Sequence, residues 1–193
     1  AHAERAIVAW RSFLSARMLV SVDLWERRAP VSLTFAHGLP GLVFTTLWFA
    51  RTHGVDAHVE RSCTHLALAI AGEGRDNGSD VAFPLMRGGK ATLTDPLLPS
   101  FCNGVTGLGV LFVESFQATG DERFLDLAAQ CLQTAMKASR ERIIGFCCGL
   151  SAVVALASRL ARASKEVSHI EIGTELLAQA KVRVAQNIAR VCD

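Results

Sequence analysis

The stretch that decides the fold begins CNGVTG at residues 102–107 and runs on through two apolar segments separated by a polar turn, TGDE. Apolar side chains recur every three or four residues over 105–118 and again over 121–138, which is the spacing of a helix with one buried face. The two glycines of CNGVTG lie three residues apart, so the backbone can turn sharply and pack closely where the first helix begins. Asp121 is suited to cap the second helix. The stretch predicts an αα-hairpin.

The same layout occurs twice more. HGLPG at 37–41 and CGLSA at 148–152 also precede helical segments that end in polar turns. Stacked αα-hairpins form solenoids or closed α/α toroids, so we predict an all-α fold, an α/α toroid or part of one, as a single domain over residues 1–193. In a toroid the three glycine loops meet at one mouth. The other predictions are helices at 3–22, 39–53, 55–72, 149–163 and 171–191, and a long loop at 73–101 with a short ordered patch.

The composition excludes several classes of protein. Half of the 193 residues are hydrophobic, 20% are charged, and the net charge is +2 with no basic stripe, so nothing indicates nucleic-acid binding. The apolar runs end well short of the roughly 18 residues that a membrane span needs. The first ten residues, AHAERAIVAW, do not resemble a signal peptide, so we expect a cytoplasmic protein with reduced thiols.

Six cysteines raise the question of metal binding. Cys63 and Cys131 fall at core positions of predicted helices. Cys102, Cys147 and Cys148 precede predicted helices, where the helix N-terminus favours the thiolate form that zinc binds. Three thiolates with one open position would suit a catalytic Zn²⁺ site. Two alternatives stay open: Cys147 and Cys148 as small buried residues, or as a redox pair, although a vicinal disulfide is strained.

Three other polar residues of the loops each have a structural interpretation as well as a functional one. His37 stands in a tight turn and can transfer a proton near neutral pH, although a histidine among apolar residues is more often structural. Arg87 and Asp95 in the long loop are interpreted as solvated charges, with a place at the mouth as the alternative.

Three segments together resemble the LanC family of lanthionine synthetase cyclases: SFCNGVTGLG at 100–109, GFCCGLSAV at 145–153 and AHGLPGL at 36–42. The resemblance implies an α/α toroid that adds peptide Cys thiols to dehydroalanine or dehydrobutyrine and so forms thioether rings. It also implies a Zn²⁺ ion held by the residues that match the family's W-C-x-G and C-H-G motifs, and a general acid in the H-G-x-x-G motif. The matching residues here are the zinc ligands Cys102, Cys147 and Cys148, and the acid His37.

This sequence departs from the family pattern at several places. Phe101 replaces the Trp of W-C-x-G, Cys148 replaces the His of C-H-G, and Leu98 stands where an Arg is common. No residue of the first 36 matches the family's upstream Asp. With three cysteines the zinc site carries one more negative charge, which makes a bound substrate thiolate more nucleophilic. The chain resembles mainly the C-terminal half of a typical LanC domain, which implies a homodimer, a partner protein or a fragment.

The resemblance implies a zinc-dependent cyclase whose partner is a dehydrated precursor peptide. The segment 73–101 is a candidate to bind that peptide. The alternative is a non-catalytic LanC-like partner that presents a precursor peptide to a kinase or lyase or binds such an enzyme. A structural solenoid that binds protein, with its thiols buried, is a third interpretation.

Overall fold

The computed structural model describes residues 2–76, 78, 80–93, 99–138, 145, 147 and 149–165, together with 171, 174, 175, 178, 181 and 182. Within this part the chain forms six helices: α1 His2–Glu26, α2 Leu39–His53, α3 Ala57–Ala71, α4 Val105–Thr119, α5 Glu122–Ala138 and α6 Leu150–Ser164. Two short strands, β1 Arg75–Asp76 and β2 Val81–Ala82, interrupt the predicted long loop. The prediction of an all-α fold is confirmed. The predicted helix at 171–191 lies mostly outside the described residues.

Helices α2, α4 and α6 are three copies of one unit. Each is 15 residues long and follows a glycine N-cap with extended backbone, at φ between −123° and −135°. Each ends at a residue with positive φ, which stops helix propagation. These end residues are Gly54 at 73°, Gly120 at 71° and Lys165 at 57°. The matched start, length and end confirm the internal repeat that the glycine motifs predicted.

Helix α4 contacts α2, α3, α5 and α6. Helix α4 packs against α2 on one side and α6 on the other, while α3 contacts α2 and α4, and α5 contacts α4 and α6. Helix α1 packs against α2 and α3. Every residue of α4 from Val105 to Ser115 is buried. A Cβ at Gly109 would lie 2.7 Å from Leu156 of α6 and 3.0 Å from Cys131 of α5, so glycine lets both helices approach α4 closely.

Two cysteines belong to this core. Cys63 of α3 and Cys131 of α5 are both fully buried, as their helical spacing predicted. Burial, with a smaller contribution from the Glu60 charge, raises the pKa of the Cys63 thiol to about 12. Burial also raises the pKa of Cys131 far above its ordinary value. These two thiols stay protonated and are packing residues.

One buried ion pair links the first two repeats. The Arg51 Nε atom of α2 donates to the Glu114 carboxylate of α4 at 2.7 Å. The Glu114 side chain is 1% exposed, whereas that of Arg51 is 39% exposed. Because a buried carboxylate without a partner is costly, Arg51 is what allows Glu114 to lie between the helices.

The described part of the segment between α3 and α4 contains a short hairpin, as the predicted ordered patch in the loop suggested. Strands β1 and β2 pair antiparallel, with Arg75 opposite Ala82. The hairpin is attached to α5, because the Val81 N–H donates to the Thr134 hydroxyl at 2.9 Å and Lys137 pairs with Asp80 at 2.7 Å. Asp95 lies outside the described residues. Among the described helices none combines the length and apolar character needed to cross a membrane.

Candidate metal centre

The three glycine loops are hydrogen-bonded to one another in series. The Ala36 N–H donates to the carbonyl oxygen of Cys102 at 3.0 Å, and the Phe101 N–H donates to the carbonyl oxygen of Cys147 at 2.7 Å. The first bond joins the loop before α2 to the loop before α4, and the second joins that loop to the one before α6. The prediction that the three loops meet at one end of the helices is therefore confirmed.

Glycines inside the helices make this nesting possible. A Cβ at Gly41 would lie 2.0 Å from the carbonyl oxygen of Phe35, and a Cβ at Gly107 would lie 2.1 Å from that of Phe101. Real Cβ atoms do not approach a carbonyl oxygen so closely. The G-x-x-G spacing seen in the sequence thus has one physical cause in both repeats: the loop folds back over the first turn of its own helix.

The structure pairs Cys102 with Cys147. Their sulfur atoms are in contact and their Cα atoms are 5.7 Å apart. The sequence predicted that these thiols meet and stay reduced. The hydrogen bond between the two loops does bring their backbones together, and the two sulfur atoms are paired. This Cα separation suits a disulfide, and it also places two thiols within reach of one metal ion. Cys102 is half-buried and Cys147 is exposed.

The donor set fits zinc as far as the structure describes it. Cys102 and Cys147 supply two soft thiolate ligands of the kind that Zn²⁺ prefers. Both precede helix N-termini, which favour a thiolate. Cys148, the predicted third ligand, lies outside the described residues. Within the described part of the chain no three His, Cys, Asp or Glu side chains form a metal cluster.

His37 lies in the loop beside the paired cysteines. Its neighbour Ala36 is hydrogen-bonded to Cys102, and its other neighbour, Gly38, is the N-cap of α2. The His37 residue is exposed. The structure therefore brings the His37 loop against the Cys102 loop and leaves His37 exposed to solvent.

The loops are supported by an aromatic cluster that was not predicted from the sequence. The Phe35 ring centroid lies 4.8 Å from that of Phe101 and 5.3 Å from that of Phe44. The Arg159 guanidinium of α6 lies 5.8 Å from the centre of the Phe44 ring. The sequence does contain a pattern that could have indicated this cluster. When the three repeats are aligned, a Phe begins each of the segments FAHG at 35–38, FCNG at 101–104 and FCCG at 146–149.

The same alignment explains the cysteine pair. Cys102 and Cys147 occupy one position of the repeat, which Ala36 fills in the first copy. His37 and Cys148 share the next position, with Asn103 in the second copy. Equivalent residues of adjacent repeats lie side by side, so the two thiols meet because they have the same place in neighbouring units.

Comparison with known proteins finds a family match. The family model described as "Lanthionine synthetase C-like protein" matches residues 16–183, which is most of the chain. The curated proteins include no match to it.

Proposed function

The chain belongs to the lanthionine synthetase C-like family, and from that premise we propose that it is a lanthipeptide cyclase. It would join a peptide Cys thiol to a dehydroalanine or dehydrobutyrine residue of a dehydrated precursor peptide. The observation that supports this proposal most directly is the meeting of Cys102 and Cys147 on neighbouring repeat loops.

Zinc is the proposed cofactor, and Cys102, Cys147 and Cys148 are its proposed ligands. The family is generally zinc-binding, and the two paired thiols are suitable ligands. When bound, zinc lowers the pKa of a substrate thiol, so that a thiolate is present at neutral pH. The helix N-termini of α4 and α6 would help to keep the ligand thiols ionised.

The reaction adds S–H across a carbon–carbon double bond. The substrate sulfur bonds to the β-carbon, and the π electron pair moves onto the α-carbon and its carbonyl as an enolate. His37 is the proposed proton donor to that α-carbon. The balance needs no oxidant or reductant, because the proton lost by the thiol is matched by the one that reaches the α-carbon.

The proposed role of the three loops is to position the reacting groups. The hydrogen bonds from Ala36 to Cys102 and from Phe101 to Cys147 join the three loops into one stack, which supports the proposed place of His37 beside the thiols. The Phe35 and Phe101 rings lie against each other under these loops and give the stack an apolar support. Holding the sulfur, the alkene and the acid together in this way supplies much of the rate of an intramolecular addition.

The first test is the zinc content of the reduced protein beside the variant Cys102→Ala. We expect about one zinc per chain in the wild type, loss of zinc in Cys102→Ala, and retention in the control Cys131→Ala, which removes a buried thiol. The second test is cyclisation of a dehydrated peptide, measured as the loss of its free thiol. A wild-type protein that binds no zinc, or binds it without any cyclisation, would contradict the proposal.

Failure of cyclisation in a protein that binds peptide would favour the non-catalytic partner predicted as the alternative. The cytoplasmic location and the homodimer, kinase or lyase partners stay predictions.

A further inference from the structure

The side chain of Arg87 is held against the end of α1. Its guanidinium lies 3.9 Å from the centre of the Trp25 ring, and its Nη1 donates to the Trp25 carbonyl oxygen. Its Nε lies 3.6 Å from the Glu73 carboxylate, and the Arg87 side chain is only 17% exposed. The prediction that Arg87 is a solvated charge is therefore wrong. A stacked and hydrogen-bonded guanidinium allows little movement.

The backbone around Arg87 forms a strap, residues 83–89, along the connection from α1 to α2. The Arg87 N–H donates to the Val31 carbonyl oxygen at 2.9 Å, and the Leu33 N–H donates to the Leu85 carbonyl oxygen at 2.8 Å. These bonds enclose an antiparallel bridge at Ser32. The strap therefore holds the connection by its main chain while the Arg87 side chain holds α1.

Ser32 is hydrogen-bonded to the turn that contains His37. The Leu39 N–H donates to the Ser32 carbonyl oxygen at 2.9 Å. A Cβ at Gly38 would lie 2.3 Å from the same oxygen, so the turn closes tightly over Ser32. Because of this bond and this close approach, a displacement of Ser32 would also displace the turn. On its other side the turn is bound to Cys102 through the Ala36 N–H.

We propose that Arg87 is a positioning residue for His37. By locking the strap to α1, it holds Ser32 in place, and Ser32 fixes the His37 turn against the thiol loop. The role of His37 itself rests on the function proposed above, whereas the mechanical link from Arg87 to the turn does not.

The test compares Arg87→Met with Arg27→Met. Methionine keeps apolar contact with Trp25 but removes the charge and the forked donors. Arg27 is a matched control, because it lies near the same end of α1 and pairs with Asp23 in an exposed ion pair, at 75% and 51% exposure. Amide hydrogen exchange of Leu33 and Leu39 reports the strap and the turn, and zinc content reports the thiol site.

In Arg87→Met we expect exchange at Leu33 and Leu39 to rise about tenfold or more, the factor for losing a hydrogen bond to a charged group. Amides of α5 and the zinc content should not change, nor should either amide in Arg27→Met. For cyclisation, kcat should fall about tenfold with KM within about twofold, because position is lost and not peptide binding. Arg87→Lys, which keeps the charge over Trp25, should lie between.

Unchanged exchange at Leu33 and Leu39 in Arg87→Met would overturn the positioning role, whatever the activity. Faster exchange with unchanged kcat would overturn it too, because the clamp would then be structural only. If exchange is faster in Arg87→Met but the wild-type protein performs no cyclisation, the proposed function is contradicted and the mechanical link from Arg87 to the turn is still supported.

Discussion

The N–H of Phe101 donates a 2.7 Å hydrogen bond to the carbonyl oxygen of Cys147. One residue belongs to the loop before α4 and the other to the loop before α6, so the bond sets the register of two neighbouring repeats. That register places Cys102 beside Cys147. The candidate metal centre is thus a consequence of how the repeats stack.

Gly107→Ala should destabilise the protein. The new Cβ would lie 2.1 Å from the Phe101 carbonyl oxygen and 2.5 Å from the Phe35 side chain, so the two loops would have to separate. We expect a loss of about 3 kcal/mol in the free energy of unfolding by urea. Gly72→Ala is the control, since a Cβ there meets nothing closer than 3.5 Å at a helical φ of −66°. It should change stability by no more than about 0.5 kcal/mol. Equal effects of the two changes would refute the close-approach argument.

Arg51→Met should cost about 2 kcal/mol, because it leaves the Glu114 carboxylate buried at 1% exposure without its partner. The double variant Arg51→Met, Glu114→Leu should recover more than half of that loss, since the uncompensated charge is gone. Arg27→Met, which breaks an exposed pair, should change stability by less than about 0.5 kcal/mol. Urea unfolding of the four proteins gives the comparison, and a double variant as unstable as Arg51→Met would speak against the charge as the cause.

Thiol labelling should divide the cysteines into two classes. Cys63, with its pKa raised to about 12, and the buried Cys131 hold almost no thiolate at pH 8, so neither should react with iodoacetamide in the folded protein. Raising the pH from 7 to 9 should not change this. Both should react once the protein is unfolded in urea. The exposed Cys147 should react in the folded, reduced and metal-free protein, as read by peptide mass spectrometry. Rapid native labelling of Cys131 would show that the core opens.

His37→Asn should remove catalysis and leave zinc in place. Asparagine suits the turn, since Asn103 occupies the equivalent position of the second repeat, but it cannot donate a proton as a general acid. We expect kcat to fall about 10²- to 10⁴-fold. His58→Asn, at an exposed position of α3, should have wild-type activity and zinc content. A His37→Asn variant with wild-type kcat would assign the proton to another group.

Much of the fold followed from local patterns. The periodicity over 39–53 predicted α2 with its observed bounds, and the spacing over 105–118 predicted α4 to within one residue. Asp121 does accept a hydrogen bond from the Arg123 N–H at 3.1 Å, as an N-cap should. These predictions succeeded because helix period and capping depend on residues within a few positions of each other.

Long-range partners were not predictable in the same way. Nothing near Arg87 in the sequence indicates that it stacks on Trp25, and nothing near Glu114 indicates its pairing with Arg51. Both pairs join residues that are far apart along the chain. Each became visible only when the strap and the neighbouring helices were placed.

The sequence by itself determined the repeat, its helices and the convergence of the three glycine loops, because each depends on short-range spacing that recurs in register. The tertiary structure decided which side chains meet. It brought Cys102 into contact with Cys147 through a loop-to-loop hydrogen bond. It also placed the Arg87 guanidinium, predicted as a solvated charge, against the Trp25 ring. Contacts of this kind depend on the distance between repeats and on the space that a glycine leaves open, and only the packed molecule defines those quantities.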